Sequence, residues 1–455
     1  MNTSQLPAEP VTGVPFANRL ARFALGLTRD QLSAPRHTKV ALIVADFLGC
    51  VLAGSSLPEA SSAYVLSCPG EVRVPGSDQH LSVESAAIAM ATMGSLLQMH
   101  DGYGVGGNHP SSCIVSALWC VRSGQSMAEL LMAVAVGYEC ANRIAASAHP
   151  AMTLAGMAPT SCTGAIGAAA AVGRLLGCSE EVVSRAISNA AFSFPLAALR
   201  GLTEHGSMVP LHGGLAARCA LESVRLAQAG LSAGATVLEG GEDPGVFALM
   251  HSQRAQLQPE SWRCETLDGV YFKPIPACRH AQPAIDAIEA IWREGVLNPG
   301  QIVRVDIHTY PVALRFGKIP APAGELYDRL MSVTWAVASA LRHGRFDIDN
   351  IVAPAADPQV QRLCKMIHTH VDPCYTELYP GLLIARVEIR LLDGVVRCGE
   401  CRMQYGTPSE AGPYSPLGTH VPPMNRDAVF DKFMRLSQRK LNQSEAIALW
   451  DQITT

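Results

Sequence analysis

The chain has 455 residues, too many for one hydrophobic core, and length alone predicts two or three domains. Apolar residues make up 48% and charged residues only 16%, with a mean hydropathy of +0.17, which implies a large buried interior extended by a subunit interface. A net charge of −4 and an isoelectric point near 6.4 give no foothold to nucleic acid or to an anionic membrane surface. No uninterrupted apolar run reaches bilayer length: 127–136 carries Glu129, and 164–177 is too short. The leader over 1–15 lacks a basic start followed by an apolar block, so no signal peptide is read. Cysteines scattered through apolar segments (Cys50, Cys120, Cys140, Cys162, Cys219) fit reduced, buried thiols and a cytoplasmic location.

Behind the leader, Phe16, Leu20, Phe23, Ala24 and Leu27 recur at helical spacing. Residues 40–52 read as a second helix that closes at Ala53-Gly54-Ser55. Helices follow at 82–99, 112–122, 127–146, 161–176, 179–192 and 212–229, with Pro110 as a start signal and Gly177 as a stop. Gly164, Gly167 and Ala168–Ala171 allow close helix approach. No strand pattern appears before about residue 260, so residues 1–260 are expected to be all-α. Near Trp262 the character changes. Val303, Val305 and Ile307 alternate with Arg304, Asp306 and His308 as a half-buried strand. Residues 383–391 alternate again, and Asp393-Gly394 turns them into 395–403. With helices at 281–294 and 329–343, residues 261–403 are expected to form an α+β domain. The tail, 404–455, is expected to rejoin the helical domain through an amphipathic helix over 425–453. No linker separates the two domains, so a ligand cleft between them is expected.

Three clusters carry chemistry. The first is the thirteen-residue stretch from His100 to Ser112, a glycine-rich polar loop between apolar helices. Asp101 and His109 within it exchange protons near neutrality once their surroundings tune them. A solvated loop with an Asx turn is the structural alternative. The second is Lys273-Pro274-Ile275-Pro276-Ala277-Cys278-Arg279-His280. Its prolines stiffen the loop, the Arg279 fork suits a carboxylate, and Lys273 adds a point charge or a base. Anion binding is the reading preferred over a polar junction in which Arg279 pairs locally. The third runs from Arg200 through His205 to His212-Gly213-Gly214, where Arg200, His205 and His212 are candidates to face the cleft. For His212, helix capping is the competing role. Cys398-Gly399-Glu400-Cys401 has redox spacing but sits in a hairpin and is read as structural. Gly102–Gly107 lacks the preceding strand of a dinucleotide loop, and the histidines show no metal-ligand spacing.

These pieces, in this order, resemble the MmgE/PrpD family, which includes 2-methylcitrate dehydratases, cis-aconitate decarboxylases and iminodisuccinate epimerases. The resemblance rests on residues 45–54, on Asp101 with His109-Pro110-Ser111, on residues 137–144, 159–164 and 210–217, and on Lys273 and Pro276. It covers nearly the whole chain. It implies an all-helical large domain, a smaller α+β lid, a homodimer, neither redox cofactor nor metal, and chemistry on a small di- or tricarboxylate at a carbon beside a carboxylate. It places functional positions on Asp101, His109 and Lys273. Three positions depart from the pattern. Ala158 stands where many members have His, Val209 where a Lys is usual, and Cys278 where decarboxylases have His.

For a succinate-like substrate, Lys273 and Arg279 are expected to bind carboxylates and to stabilise enolate-like charge. His109 is the expected base, with Asp101 orienting it and supporting its charged form, a direct catalytic role for Asp101 being the alternative. Tyr103 or His212 is the expected acid, and Arg200, His280 and Ser111 are further substrate contacts. The reaction expected is hydration or dehydration. Epimerisation of a substituted succinate is the runner-up, and a polycarboxylate-binding protein without turnover is the third reading. All three require the His109 loop and the Lys273–His280 turn to meet.

Overall fold

The computed structural model of the chain describes residues 13–253, 257–320, 325–352, 357–404, 406–408 and 423–455. The leader before residue 13 and the approach to the C-terminal helices, 409–422, lie outside the described residues. The first half is a bundle built on Phe16–Gly26, Ala34–Ser55, Val83–Ser95, Ser111–Val121, Met127–Ala148, Pro159–Leu175, Glu180–Ser193 and His212–Gln228. Its helix starts are chemically marked. Ser82, Ser126 and Ser179 each accept a hydrogen bond from a first-turn N–H, and Ser126 forms a capping box with Glu129. The helix Pro159–Leu175 ends before Gly177, whose φ of +65° suits a residue without Cβ.

Small residues set the packing distance at the centre. A Cβ on Gly167 would lie 2.5 Å from the Gly137 carbonyl oxygen, so Met127–Ala148 and Pro159–Leu175 touch backbone to backbone. The helix Ala34–Ser55 is buried from Val40 to Gly54. It is long and apolar enough to cross a membrane, contrary to the expectation from uninterrupted runs, because Asp46 breaks the run but not the helix. Inside this protein 83% of its most apolar window is buried.

The fold is mainly helical with a smaller α+β part, as expected, but the first half is not wholly helical. Pro69–Arg73 pairs with His80–Leu81, and Gly102–Tyr103 pairs with a strand from the second half. Strands of two to five residues leave too little alternation to read. In the second half the strand order is Ile367–Val371, Ile302–Thr309, Ala385–Leu391, Val396–Cys401, with only the first pair parallel. The edge strand Ile367–Val371 is not legible in the sequence because it has only two apolar residues, at its two ends, and none of its five residues is fully buried. A register irregularity between Ile302 and Arg304 buries Ile302 and leaves Val303 exposed, the reverse of simple alternation. The helix Gln282–Glu294 covers the sheet, and Gly399 makes room for the Ala287 carbonyl. The expected helix over 329–343 breaks at Ser332, and the one over 425–453 is two helices, Arg426–Ser437 and Gln443–Thr454, the second capped by Asn442. All fourteen cysteines are free, and Cys398 is exposed while Cys401 is buried on the same strand.

The helix Arg426–Ser437 packs on Ala34–Ser55, with Phe433 and Leu436 against Gly49. It carries Lys432 into the interior. The Lys432 Nζ lies 2.6 Å from Asp46 Oδ1 and donates to the Met99 carbonyl at 2.6 Å, and both side chains are at most 2% exposed. Removing one partner of such a pair costs about 3–5 kcal/mol, because the other charge stays buried alone. Lys432→Met is therefore expected to lower the denaturant midpoint strongly. The double variant Asp46→Leu, Lys432→Met should recover most of the loss. Equal midpoints for wild type and Lys432→Met would contradict the ion pair.

Candidate active site

Two strands of two residues each join the halves. Gly102–Tyr103 pairs antiparallel with Val270–Tyr271, with Gly102 opposite Tyr271. A Cβ on Gly102 would lie 2.4 Å from the Tyr271 hydroxyl and 2.8 Å from His109 Nδ1, so only glycine lets these groups approach. The pairing sets the His109 loop against the chain that runs directly into Lys273.

His109 is held at both ends. Its peptide N–H donates to Thr160 Oγ1 at 3.1 Å, and its Nδ1 lies 2.7 Å from the Asp101 main-chain carbonyl. A carbonyl only accepts, so the proton sits on Nδ1 and Nε2 keeps a lone pair. Burial, followed by the Lys273 charge, pushes the imidazole pKa down to about 3, so it is neutral at physiological pH. Asp101 thus orients His109 as expected, through its main-chain carbonyl, but with the imidazole neutral there is no charged form for it to support. That carboxyl is fully buried, and burial lifts its pKa to about 7 against the hydroxyls of Ser111 and Tyr138. The Tyr138 hydroxyl donates to Oδ2 at 2.8 Å, whereas Oδ1 and the Ser111 hydroxyl have no aligned partner among the described residues.

Two more imidazoles sit close by. The ring of His100 is centred 5.1 Å from that of His109, tilted by 59°. His212 opens the helix His212–Gln228, with Nδ1 bonded to the Val209 carbonyl. Burial lowers the proton affinity of both.

The cationic turn lies on the other side. Lys273 is 1% exposed and donates to the Ala277 carbonyl at 3.3 Å. Burial drops its pKa to about 7, with the Cys278 thiol opposing and Arg279 adding to the drop. The Arg279 guanidinium lies 4.1 Å from the centre of the Tyr271 ring and donates to Gln282 and Thr407, while its Nε has no partner among the described residues. His280 lies at the back of this turn, bonded through Nδ1 to the Tyr310 hydroxyl at 2.7 Å and stacked on Phe316.

The structure therefore gathers Asp101, His109, His212, Ser111, Lys273, Arg279 and His280 around one junction. It does not bring in three of the expected residues. Tyr103 projects from the opposite side of the strand from Gly102, against Gly106 and Gly269 and within reach of the Glu139 and Arg143 charges, so it cannot serve as the acid. Arg200 is exposed and paired with Glu204 at 2.6 Å. It lines a cleft of about 750 Å³ with Gly156, Thr203, Arg315 and Lys318, with no histidine in that lining among the described residues. His205 is paired with Asp328. Conversely, His100, Tyr271, Asp46 and Lys432 belong to this neighbourhood, although sequence reasoning assigns them no role. Tyr271 had a signal, two residues before Lys273, but Lys432 had none, because its partner lies 386 positions earlier in the chain. Ala158 and Val209 are buried apolar groups, and burial raises the pKa of the Cys278 thiol, keeping it neutral.

Comparison with known proteins adds lineage. Residues 18–258 match the MmgE/PrpD N-terminal domain and residues 275–453 the MmgE/PrpD C-terminal domain. The cis-aconitate decarboxylase of Mus musculus is 26% identical over 305 residues, 63% of this chain and 60% of that protein. That of Homo sapiens is 25% identical over 316 residues, 66% and 63% respectively. The chain thus spans less than two thirds of the length of these relatives. Imidazole nitrogen NMR is expected to find His109 neutral, with its proton on Nδ1, between about pH 5 and 8. Gly102→Ala should displace that resonance, and a His109 titration near the ordinary value would contradict the geometry.

Proposed function

The chain belongs to the MmgE/PrpD family, and on that premise we propose that it is a lyase, independent of any cofactor, that hydrates or dehydrates a small di- or tricarboxylic acid beside a carboxylate. The observation that carries this reading is a neutral, main-chain-oriented His109 placed against the Lys273–Arg279 turn. Lys273 and Arg279 bind the substrate carboxylates. His109 Nε2 takes the proton from the adjacent carbon, and the C–H electron pair moves into the enolate, whose charge Lys273 stabilises. The leaving hydroxyl departs as water with a proton from Asp101, a carboxyl that is largely protonated just below its pKa of about 7. The step ends with an imidazolium and a carboxylate, so no net charge is created. The acid role passes from Tyr103 to Asp101; His212 has its Nδ1–H committed to the Val209 carbonyl and is kept neutral by burial, so it holds only a lone pair on Nε2 and is no donor.

The named relatives are decarboxylases. We favour dehydration here because Ala158, Val209 and Cys278 add no charge to the junction. Epimerisation is the second reading, favoured by the two imidazoles of His100 and His109 facing each other.

Proton-exchange NMR over C4–C6 polycarboxylic acids in deuterated solvent tests this function. A lyase interconverts the substrate with an unsaturated acid that absorbs in the ultraviolet. An epimerase gains deuterium at the α-carbon while composition stays constant. Binding without either change would leave only a binding protein. His109→Ala is expected to lower turnover by about 10²–10⁴-fold with the fold intact. Wild-type turnover in that variant would remove His109 from the mechanism. Arg279→Ala should weaken apparent affinity by roughly 10–100-fold, the loss of a charge-assisted hydrogen bond.

Affinity for polycarboxylates should also fall as pH rises through about 7. Below that value Lys273 is charged and Asp101 neutral. Above it Lys273 loses its charge and Asp101 gains a negative one, and both changes oppose an anion, at up to about tenfold per group per pH unit. Flat affinity between about pH 6 and 8.5 would contradict the assignment.

A further inference from the structure

We propose that His100 is a substrate-binding residue, its Nδ1–H hydrogen-bonding a carboxylate of the acid at the carbon that His109 deprotonates. The proposal rests on the polycarboxylate reading above and adds a residue that reading does not use. His100 is 3% exposed, and its Nδ1 is buried with no hydrogen-bond partner among the described residues. A buried polar group left unsatisfied destabilises a fold, whereas an apolar side chain beside Met99 and the edge of Phe47 would cost nothing of the kind. A purely structural role therefore gives no reason for an imidazole here.

Geometry gives one. The rings of His100 and His109 stand 5.1 Å apart at 59°, close enough to act on adjacent atoms of one small molecule. His109 commits its Nδ1 to the Asp101 carbonyl, so the two rings offer complementary groups: a lone pair on one and an N–H on the other. The surroundings select an anion as partner. Burial first, and then the Lys273 and Lys432 charges, oppose protonation of the His100 ring, and the same two cations favour a negatively charged acceptor for its N–H. The main chain at this point is anchored, because Lys432 holds the carbonyl of the preceding residue, Met99. His100 thus presents a fixed donor to the group it binds.

The test combines His100→Leu, His100→Asn and His100→Gln in the full chain. Tricarballylate serves as the binding probe in thermal unfolding, and the acid turned over by wild type serves for kinetics. His100→Leu should unfold at or above the wild-type temperature without ligand, yet lose stabilisation by tricarballylate and show KM raised at least tenfold. Asn carries an amide N–H near the Nδ1 position, so His100→Asn should recover part of the loss, while His100→Gln, whose amide maps to Nε2, should not. Wild-type KM and ligand stabilisation in His100→Leu would overturn the proposal while leaving the function reading intact. The proposal would also fall, again without touching that reading, if His100→Asn and His100→Gln were both folded and as impaired as His100→Leu. Failure of wild type to bind or convert any polycarboxylate would overturn the function reading, and this proposal with it.

Discussion

Two residues against two residues hold the two halves of the candidate active site in register. The antiparallel contact of Gly102–Tyr103 with Val270–Tyr271 is the smallest sheet a chain can make, yet it spans 168 positions of sequence, from Gly102 to Val270. So short a ladder is weak by itself. It is sustained by what surrounds it: the Lys432 ammonium fixed between Asp46 and the Met99 carbonyl on one side, and the Lys39 ammonium donating to the Val270 carbonyl at 2.8 Å on the other. The missing side chain at Gly102 is what allows the contact to be close. Both imidazole orientation and tyrosine placement depend on that gap.

Burial then does the electrostatic work. Within the junction, His109 is held neutral, Lys273 is brought down to about 7 and Asp101 up to about 7. In water these three groups would differ widely in pKa. Taking them out of water closes the gap between the Asp101 carboxyl and the Lys273 amine, because every charged form is penalised, and drives the His109 imidazole below both. A carboxyl and an amine near neutrality, beside a neutral imidazole, can exchange protons with one another and with a bound acid at small cost. Proton-transfer efficiency is greatest when donor and acceptor are matched in this way. On the proposed reading the same burial makes the site dependent on its own cations: Lys273 and Arg279 offset much of what an anionic substrate loses on leaving water.

The scaffold serves this arrangement by its rigidity. Glycine and alanine along Pro159–Leu175 let helices pack at backbone distance, which fixes Thr160 and, through it, the peptide of His109. The C-terminal helix Arg426–Ser437 crosses back over Ala34–Ser55 and closes the interior beneath His100. Chain ends that return to the core in this manner tie distant segments into one structure, and here they deliver a charge as well as apolar area.

Local rules carried far along this chain. Helices of the first half, the hairpin after Asp393-Gly394 and the covering helix Gln282–Glu294 follow from 3.6-residue or two-residue periodicity and from caps such as Ser126 with Glu129. Those signals are written into neighbouring residues and survive whatever the rest of the molecule does. The chemistry of Asp101, His109, Lys273 and Arg279 was equally legible as a set of residue types in glycine- and proline-marked loops. What tertiary structure alone decided was direction and company: Tyr103 turned away while Tyr271 turned in, Arg200 went to another cleft, and Lys432 arrived from the far end of the chain. A residue's identity limits which protons and charges it can handle. Its neighbours across the fold set how far water is excluded and which atoms it can reach, and no local pattern encodes a partner hundreds of positions away.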